Sequence, residues 1–282
     1  MNITYLIIII LGISFQNAMN KEFDKAIKTG GEYFFAMVTS LFAAVFFAIT
    51  SGGFSFDAGI IPYCIGFGIS YALTTVATFL AISIGSMSIS SLVISYSLMI
   101  PTMYGIFFLG DPVGYGFVVG IILLVISLAI INKPTKDVPI TAKWIVYLLL
   151  AFAGNGMCSV VQKMQQDAFG GSYKNEFMII ALVIVCVVLG IAVFMKERKN
   201  VGFYMKKGWR FGALCGIMNG VVNLFVMILS GKMNVSVMFP LISAGGLVIT
   251  FIISKLRYKE KLSARQLAGF VIGIGSIVFL SI

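Results

Sequence analysis

Long apolar stretches separated by short polar gaps run along the whole chain. A helix needs about 20 mostly apolar residues to cross roughly 30 Å of hydrocarbon. Ten stretches of the sequence meet this requirement, at approximately residues 3–19, 32–50, 59–82, 86–108, 114–132, 141–161, 177–195, 210–229, 235–254 and 264–281. Their apolar residues are continuous rather than strictly alternating, which favours helices over the strands of a membrane barrel. The pattern predicts an all-α, polytopic membrane protein with ten transmembrane helices.

Composition supports the same class of protein. Hydrophobic residues make up 60% of the 282 residues and charged residues 11%, whereas soluble domains have about 25% charged residues. The chain has too few charged side chains to cover the surface of a soluble globule. Its high hydrophobicity also excludes a disordered protein.

The basic residues indicate how the helices are oriented. Of the 20 Lys and Arg residues, 17 fall in gaps after odd-numbered stretches and 3 in gaps after even-numbered stretches. Because Lys and Arg concentrate in short cytoplasmic loops, this distribution predicts that both termini of the protein lie outside the cytoplasm, with the helices in the cell membrane. The net charge of +10 is interpreted as anchoring to anionic lipid headgroups, and no nucleic-acid partner is predicted.

The two halves of the chain show weak internal similarity. Shifting the sequence by 142 or 149 residues superimposes several identical or similar residues. The matched pairs include Tyr5 with Tyr147, Gly12 with Gly154, Lys21 with Lys163, Asp111 with Glu260, Gly120 with Gly269, and Ser127 with Ser276. Five helices in each half would give the halves opposite orientations, an arrangement typical of transporters. We therefore predict two inverted five-helix repeats, residues 1–137 and 138–282.

Several segments resemble those of one transporter family. Residues 86–101 are rich in small residues and lead into an acidic turn around Asp111, and residues 259–263 form a similar turn around Glu260. A glycine-bearing helix follows each turn, and residues 154–163 resemble a repeated entry helix. The whole chain resembles the ten-helix, EamA-type members of the drug/metabolite transporter superfamily, which implies a carrier of small metabolites or drugs. Many members are thought to keep both termini in the cytoplasm, the reverse of our charge-based prediction.

The residue types needed for catalysis or metal binding are scarce. The chain has no histidine, and no carboxylate falls in the middle of a stretch. The four cysteines lie far apart within apolar stretches, without the spacing of metal ligands. The sequence therefore predicts neither an enzyme nor a cofactor or metal site.

Uncharged polar residues within the stretches are the candidates for a substrate cavity. Such groups cost free energy in lipid unless they face the protein interior. Asn219 and Asn223 are four residues apart, hence on one helix face, and the shift of 149 places them on Ser70 and Thr74. The complete candidate set is Gln16, Asn17, Ser70, Tyr71, Thr74, Tyr96, Asn155, Asn219 and Asn223. The alternative is that these residues form interhelical hydrogen bonds that only stabilise the bundle.

Six further residues are candidates for a gate, an interface or a hinge. Lys21 and Lys163 are matched by the shift of 142 and could form a gate or interface, or could extend towards lipid headgroups. Pro101 and Pro240 are candidate kinks, and Gly245 and Gly246 would allow close helix approach.

Together these features favour a carrier that works by alternating access. Because no Lys, Arg or carboxylate lies in the middle of a stretch, the predicted substrate is a small neutral, zwitterionic or weakly charged organic solute. Its predicted partners are this solute and membrane lipid. A channel and a non-transporting scaffold or assembly protein are the alternatives.

Overall fold

A computed structural model of the protein describes residues 2–28, 30–84, 94, 96–131, 141–258 and 264–280. In these residues the secondary structure is helical, without strands. The helices are α1 (Asn2–Ile27), α2 (Glu32–Thr50), α3 (Ile61–Ile84), α4 (Met99–Phe108), α5 (Tyr115–Ile131), α6 (Ala142–Ala168), α7 (Lys174–Lys196), α8 (Val201–Lys207), α9 (Trp209–Ser230), α10 (Val235–Tyr258) and α11 (Ala264–Leu280).

Most of these helices are strongly apolar. Six, namely α1, α2, α3, α6, α7 and α9, are long and apolar enough to cross a membrane. Shorter apolar segments lie in α4 with the turn before it, in α5, in α10 and in α11. They are Tyr96–Phe108, Tyr115–Ser127, Val235–Gly246 and Leu267–Ser276. The chain is therefore an integral, multi-pass membrane protein, while the full count of ten crossings stays a prediction. Part of the predicted fourth stretch lies outside the described residues.

The helices of the two halves interleave. α3 packs along α6, α1 along α9, and α5 along α11. α2 packs against both α7 and α9, and α10 contacts α1 and α4. Each of these contacts joins a helix before residue 138 to one after it, so helices of one half pack against helices of the other.

Three glycines allow α9 to pack closely against α2. Gly212, Gly216 and Gly220 are four residues apart and lie on one face of α9. A Cβ atom at Gly216 would lie 2.4 Å from the backbone oxygen of Thr39 on α2. A Cβ at Gly220 would lie 2.4 Å from the ring of Phe46. This spacing of small residues is a common basis of close helix packing in membranes.

Polar contacts gather the helix ends into two groups. Glu197, after α7, accepts hydrogen bonds from Gly31 N at 3.1 Å, Tyr33 N at 3.2 Å and Phe34 N at 2.9 Å, at the start of α2. Arg257 of α10 lies 3.5 Å from Glu22 of α1. These contacts bring together polar segments that follow odd-numbered apolar stretches of the sequence, where most Lys and Arg residues lie. We call this side of the molecule the basic end.

At the opposite end of the molecule, the polar segments that follow even-numbered apolar stretches lie together. Glu176 of α7 accepts hydrogen bonds from the backbone and hydroxyl of Ser55, both at 3.1 Å. Lys163 of α6 donates to the backbone oxygen of Ser230, the last residue of α9, at 2.9 Å. The helices therefore alternate in direction between the two ends wherever these contacts occur.

Candidate functional site

Four carboxamide side chains form a hydrogen-bonded chain in which α9 lies between α6 and α1. Gln162 Nε2 donates to Asn223 Oδ1 at 2.7 Å, and Asn223 Nδ2 donates to Asn219 Oδ1 at 3.0 Å. Asn219 Nδ2 in turn donates to Gln16 Oε1 at 3.0 Å. We call Gln16, Gln162, Asn219 and Asn223 the amide ladder. It brings together three of the predicted cavity residues and Gln162, which is not among those predictions.

The amide ladder is neutral and mostly enclosed. Gln162 is 3% exposed, and the other three side chains are partly buried. The Nε2 atom of Gln162 also lies 3.8 Å from Met178 Sδ, which belongs to an apolar cluster. Each carboxamide carries both donors and an acceptor, so the ladder can bind a group that presents both kinds of hydrogen-bonding atom.

Gln162 is not among the residues predicted to line the cavity, although the sequence contains a usable signal. It lies seven residues after Asn155 in the same helix, which is about two turns and therefore the same helix face. Gln162 enters the family resemblance of residues 154–163 but none of the predicted sites. The tertiary structure adds that this face of α6 meets α9.

Asn155 belongs to a second polar contact. Its Nδ2 atom donates to Ser97 Oγ at 2.6 Å, and Ser97 is fully buried in the turn before α4. The neighbouring Gly156 allows this approach, since a Cβ there would lie 2.8 Å from the backbone oxygen of Ser97. Asn155 therefore links α6 to the start of α4.

Ser70 and Thr74 lie where α3 packs against α6. A Cβ at Gly154 would lie 2.5 Å from Thr74 Oγ1 and 2.9 Å from the Ser70 backbone oxygen. Thr74 Oγ1 is buried and has no hydrogen-bond partner within the described residues. The described contacts do not join Ser70 or Thr74 to the amide ladder.

The remaining cavity candidates are Tyr71, Tyr96 and Asn17. Tyr71 stacks on Phe67 with ring centroids 5.7 Å apart, within the apolar cluster. Tyr96 donates from its hydroxyl to the backbone oxygen of Val125 at 3.2 Å and lines a small space between α4, α5 and α10. Asn17 is exposed near the C-terminal part of α1.

The two lysines occupy opposite ends of the molecule. Lys163 Nζ lies 2.7 Å from Asp167 Oδ1 and also binds the end of α9. Its side chain is only 12% exposed, which places it at an interface between α6 and α9. Lys21 is half-buried in the last turns of α1, on the side of the basic end.

The prolines and glycines differ in their structural positions. Pro240 lies within α10, whereas Pro101 lies in the first turn of α4, where a missing N–H is tolerated. A Cβ at Gly245 would lie 2.4 Å from Ile10 Cδ1, so this glycine allows α10 to approach α1. The backbone oxygen of Gly246 accepts a hydrogen bond from Ser14 Oγ at 3.3 Å.

Two hydrogen bonds between α5 and α11 are reciprocal. Ser127 Oγ donates to the backbone oxygen of Gly269, and Ser276 Oγ donates to that of Gly120 at 2.8 Å. The shift of 149 residues matches Ser127 with Ser276 and Gly120 with Gly269. Exchanging the two halves therefore converts each bond into the other.

Electrostatics at the basic end centre on Glu197, which is 8% exposed. Burial raises the pKa of its carboxyl, while hydrogen bonds from backbone N–H groups at the start of α2 lower it, and the effect of burial is the larger. The backbone donors therefore only partly replace the lost solvent.

Among the residues that the structure describes, no three His, Cys, Asp or Glu side chains converge as metal ligands would.

The fold defines a helical, multi-pass membrane protein with buried polar contacts between its halves. Residues 142–282 match the model of the EamA-like transporter family. A solved structure described only as the crystal structure of a protein is 13% identical, with a TM-score of 0.79, and covers 99% of this chain and 98% of that chain. At this identity the likeness shows a shared fold alone. No curated protein matches the chain.

The family match covers half of the sequence. The chain belongs to the EamA-like transporter family, which supports the resemblance to the drug/metabolite transporter superfamily.

Proposed function

We propose that the protein is a secondary transporter that carries a small neutral, zwitterionic or weakly charged organic solute across the cell membrane. The proposed mechanism is alternating access, in which two inverted five-helix repeats rock about a central site. Membership of the EamA-like transporter family supports the transport activity. The amide ladder is the observation that carries the choice of site and solute.

The position of the amide ladder suits a solute pathway. Gln16 comes from the first half and the other three amides from the second, so movement of the halves would change the distances between them. A solute with hydrogen-bond donors and acceptors could replace the bonds that the amides make with one another. An ion without a counter-charge would be poorly stabilised there, because burying an unpaired charge is costly.

The helix contacts support the inverted repeat. In the proposed repeat, α1 corresponds to α6, α2 to α7, α3 to α9, α4 to α10 and α5 to α11. Exchanging the halves then converts the α1–α9 contact into the α3–α6 contact, and the α1–α10 contact into the α4–α6 contact. The α2–α7 and α5–α11 contacts convert into themselves. The reciprocal bonds of Ser127 and Ser276 have the same symmetry. Ten membrane crossings would follow from such a repeat.

A counterflow assay on purified protein in vesicles tests the proposal. With a panel of neutral and zwitterionic metabolites, we expect saturable exchange of at least one solute. Gln162→Leu, Asn219→Leu and Asn223→Leu should each lower that exchange about tenfold, the effect of losing one hydrogen bond of ~1.4 kcal/mol. Absence of exchange for every solute class would contradict the transport activity.

A matched control separates recognition from helix packing. Thr75→Val also removes a polar group from a transmembrane helix, but among the described residues Thr75 Oγ1 bonds its own helix alone, to Tyr71 O at 2.9 Å. We expect this variant to transport normally. If the three ladder variants also transport like the wild type, the ladder serves only to hold the helices together.

A further inference from the structure

Asp111 joins the turn after α4 to the beginning of α10. Its Oδ2 atom accepts a hydrogen bond from the backbone N–H of Ser236 at 2.9 Å. The turn also folds back on α4, since the backbone oxygen of Gly105 accepts hydrogen bonds from Leu109 N at 3.2 Å and Asp111 N at 3.1 Å. This arrangement fixes the Asp111 side chain between two helices from different halves of the chain.

Gly105 makes room for this contact. A Cβ at that position would lie 2.5 Å from Asp111 Oδ2 and 3.1 Å from Ser236 N. The N–H groups in the first turn of a helix have no partner within the helix, and the helix dipole favours a carboxylate there. The bond from Asp111 therefore requires the absence of a side chain at residue 105.

The α4–α10 interface beside this bond is buried, although one of its polar atoms has no described hydrogen-bond partner. Ser236 is fully buried, and its Oγ atom has no hydrogen-bond partner in the described part of the chain. Thr102, one turn before Gly105 on α4, is 3% exposed. Towards α10, Thr102 lines a space of about 10 Å³ with Pro240 and Ser243, roughly the minimum for one water molecule. Towards α5, it lines a separate, apolar space of about 160 Å³.

We propose that Asp111 is a latch that closes the α4–α10 interface at the end opposite the basic end. While its carboxylate binds Ser236 N, α10 stays against α4 and solvent does not reach Thr102 between these two helices. Release of this bond separates the helices and opens the interface from that end. The proposal deepens the proposed transport function, since an alternating-access carrier must close one end while the other is open.

Alkylation of an introduced thiol tests the latch without requiring transport. The full chain is prepared in lipid nanodiscs, where both ends of the molecule are exposed, and carries Thr102→Cys. Within the described part of the chain, the one hydrogen bond of Thr102 Oγ1 is to Leu98 O at 2.8 Å, in the turn before, so a thiol is expected to fit. A membrane-impermeant, thiol-reactive compound is added, and mass spectrometry follows its reaction at position 102 and at the fully buried native Cys64.

We expect Asp111→Ala and Gly105→Ala each to raise the reaction rate at position 102 about tenfold relative to Cys64, as for the loss of one charged hydrogen bond. Asp111→Asn, which keeps an acceptor oxygen, should have a smaller effect. Gly114→Ala is the matched control on the same turn, because a Cβ there has no atom within 4 Å.

An unchanged rate at position 102 in either Asp111→Ala or Gly105→Ala would overturn the latch. An equal rise at Cys64 would also overturn it, because it would show general loosening of the helices. A rise caused by Gly114→Ala would count against it in the same way. Failure to find any transported solute would leave this measurement intact and would bear only on the proposed transport function.

Discussion

Single carboxylates connect the two halves of the molecule by binding helix N-termini. Glu197, in the second half, binds the start of α2 in the first, and Asp111, in the first half, binds the start of α10 in the second. The sequence indicates an acidic turn at Asp111, but it gives no sign of a role for Glu197. Both residues replace water at helix ends where backbone N–H groups would otherwise lack partners.

Glu197→Ala should destabilise the protein. It removes the acceptor of three backbone N–H groups at the start of α2, and we expect the free energy of unfolding to fall by about 1–3 kcal/mol. Thermal unfolding in detergent micelles measures the effect. Glu22→Ala is the control at the same end, because the Glu22 side chain is 23% exposed and makes ion pairs at 3.5 and 3.8 Å. Such pairs contribute little, and an equal loss in both variants would contradict the role of Glu197.

Close approach of α9 and α2 depends on glycine at each contact. The spacing Gly212, Gly216 and Gly220 was readable in the sequence as a face of small residues. The sequence could not show which helix this face meets, because α2 and α9 are separated by more than 150 residues. Of the two glycines predicted to allow close packing, Gly245 and Gly246, Gly245 makes a similarly close approach to α1.

At this scale, Gly216→Ala should disrupt the packing of α9 on α2. The new Cβ would lie 2.4 Å from a backbone oxygen that no side-chain rotation can move. We expect a loss of at least about 2 kcal/mol in stability, or failure to obtain a monodisperse protein in size-exclusion chromatography. Gly190→Ala in α7 is the matched control, since its Cβ would meet Met37 Sδ at an ordinary 3.7 Å. Normal behaviour of both variants would show that the helices are farther apart.

The relation between the halves appears only in the molecule as a whole. Weak matches at shifts of 142 and 149 residues suggested a repeat, and the reciprocal bonds between α5 and α11 give two of these matches a common physical role. The structure also shows that each half packs mainly on the other. The first half of the chain therefore has few extensive contacts of its own among the described helices.

A disulfide should form between α5 and α11 without strain. A Cβ at Gly273 would lie 3.8 Å from the Cβ of Ser127, which is the mean separation in disulfides. We expect the double variant Ser127→Cys, Gly273→Cys to cross-link on mild oxidation, detected by mass spectrometry of the joined peptides. The single variant Ser127→Cys controls for reaction with the four native cysteines. Absence of the cross-link would contradict the α5–α11 packing.

The orientation of the whole molecule remains a prediction of the charge distribution. A reporter fused after Ile282 should be active when it is of a type that functions outside the cytoplasm, and inactive when it functions only inside. A fusion placed in the 197–208 gap should give the opposite result, because 6 of the Lys and Arg residues flank or lie in that gap. The reverse outcome at both positions would invert the assignment.

The sequence by itself determined the class of protein, because hydrophobicity and the scarcity of charge are properties of composition that no folding can change. It also located most helices, since a long apolar run in lipid must satisfy its backbone groups within itself. Only the tertiary structure decided which polar groups meet. Asn219 and Asn223 were expected to share a site with Ser70 and Thr74, whereas the described contacts join them to Gln16 and Gln162. Such pairings depend on how helices far apart in the sequence cross and rotate, and local sequence carries little information about either.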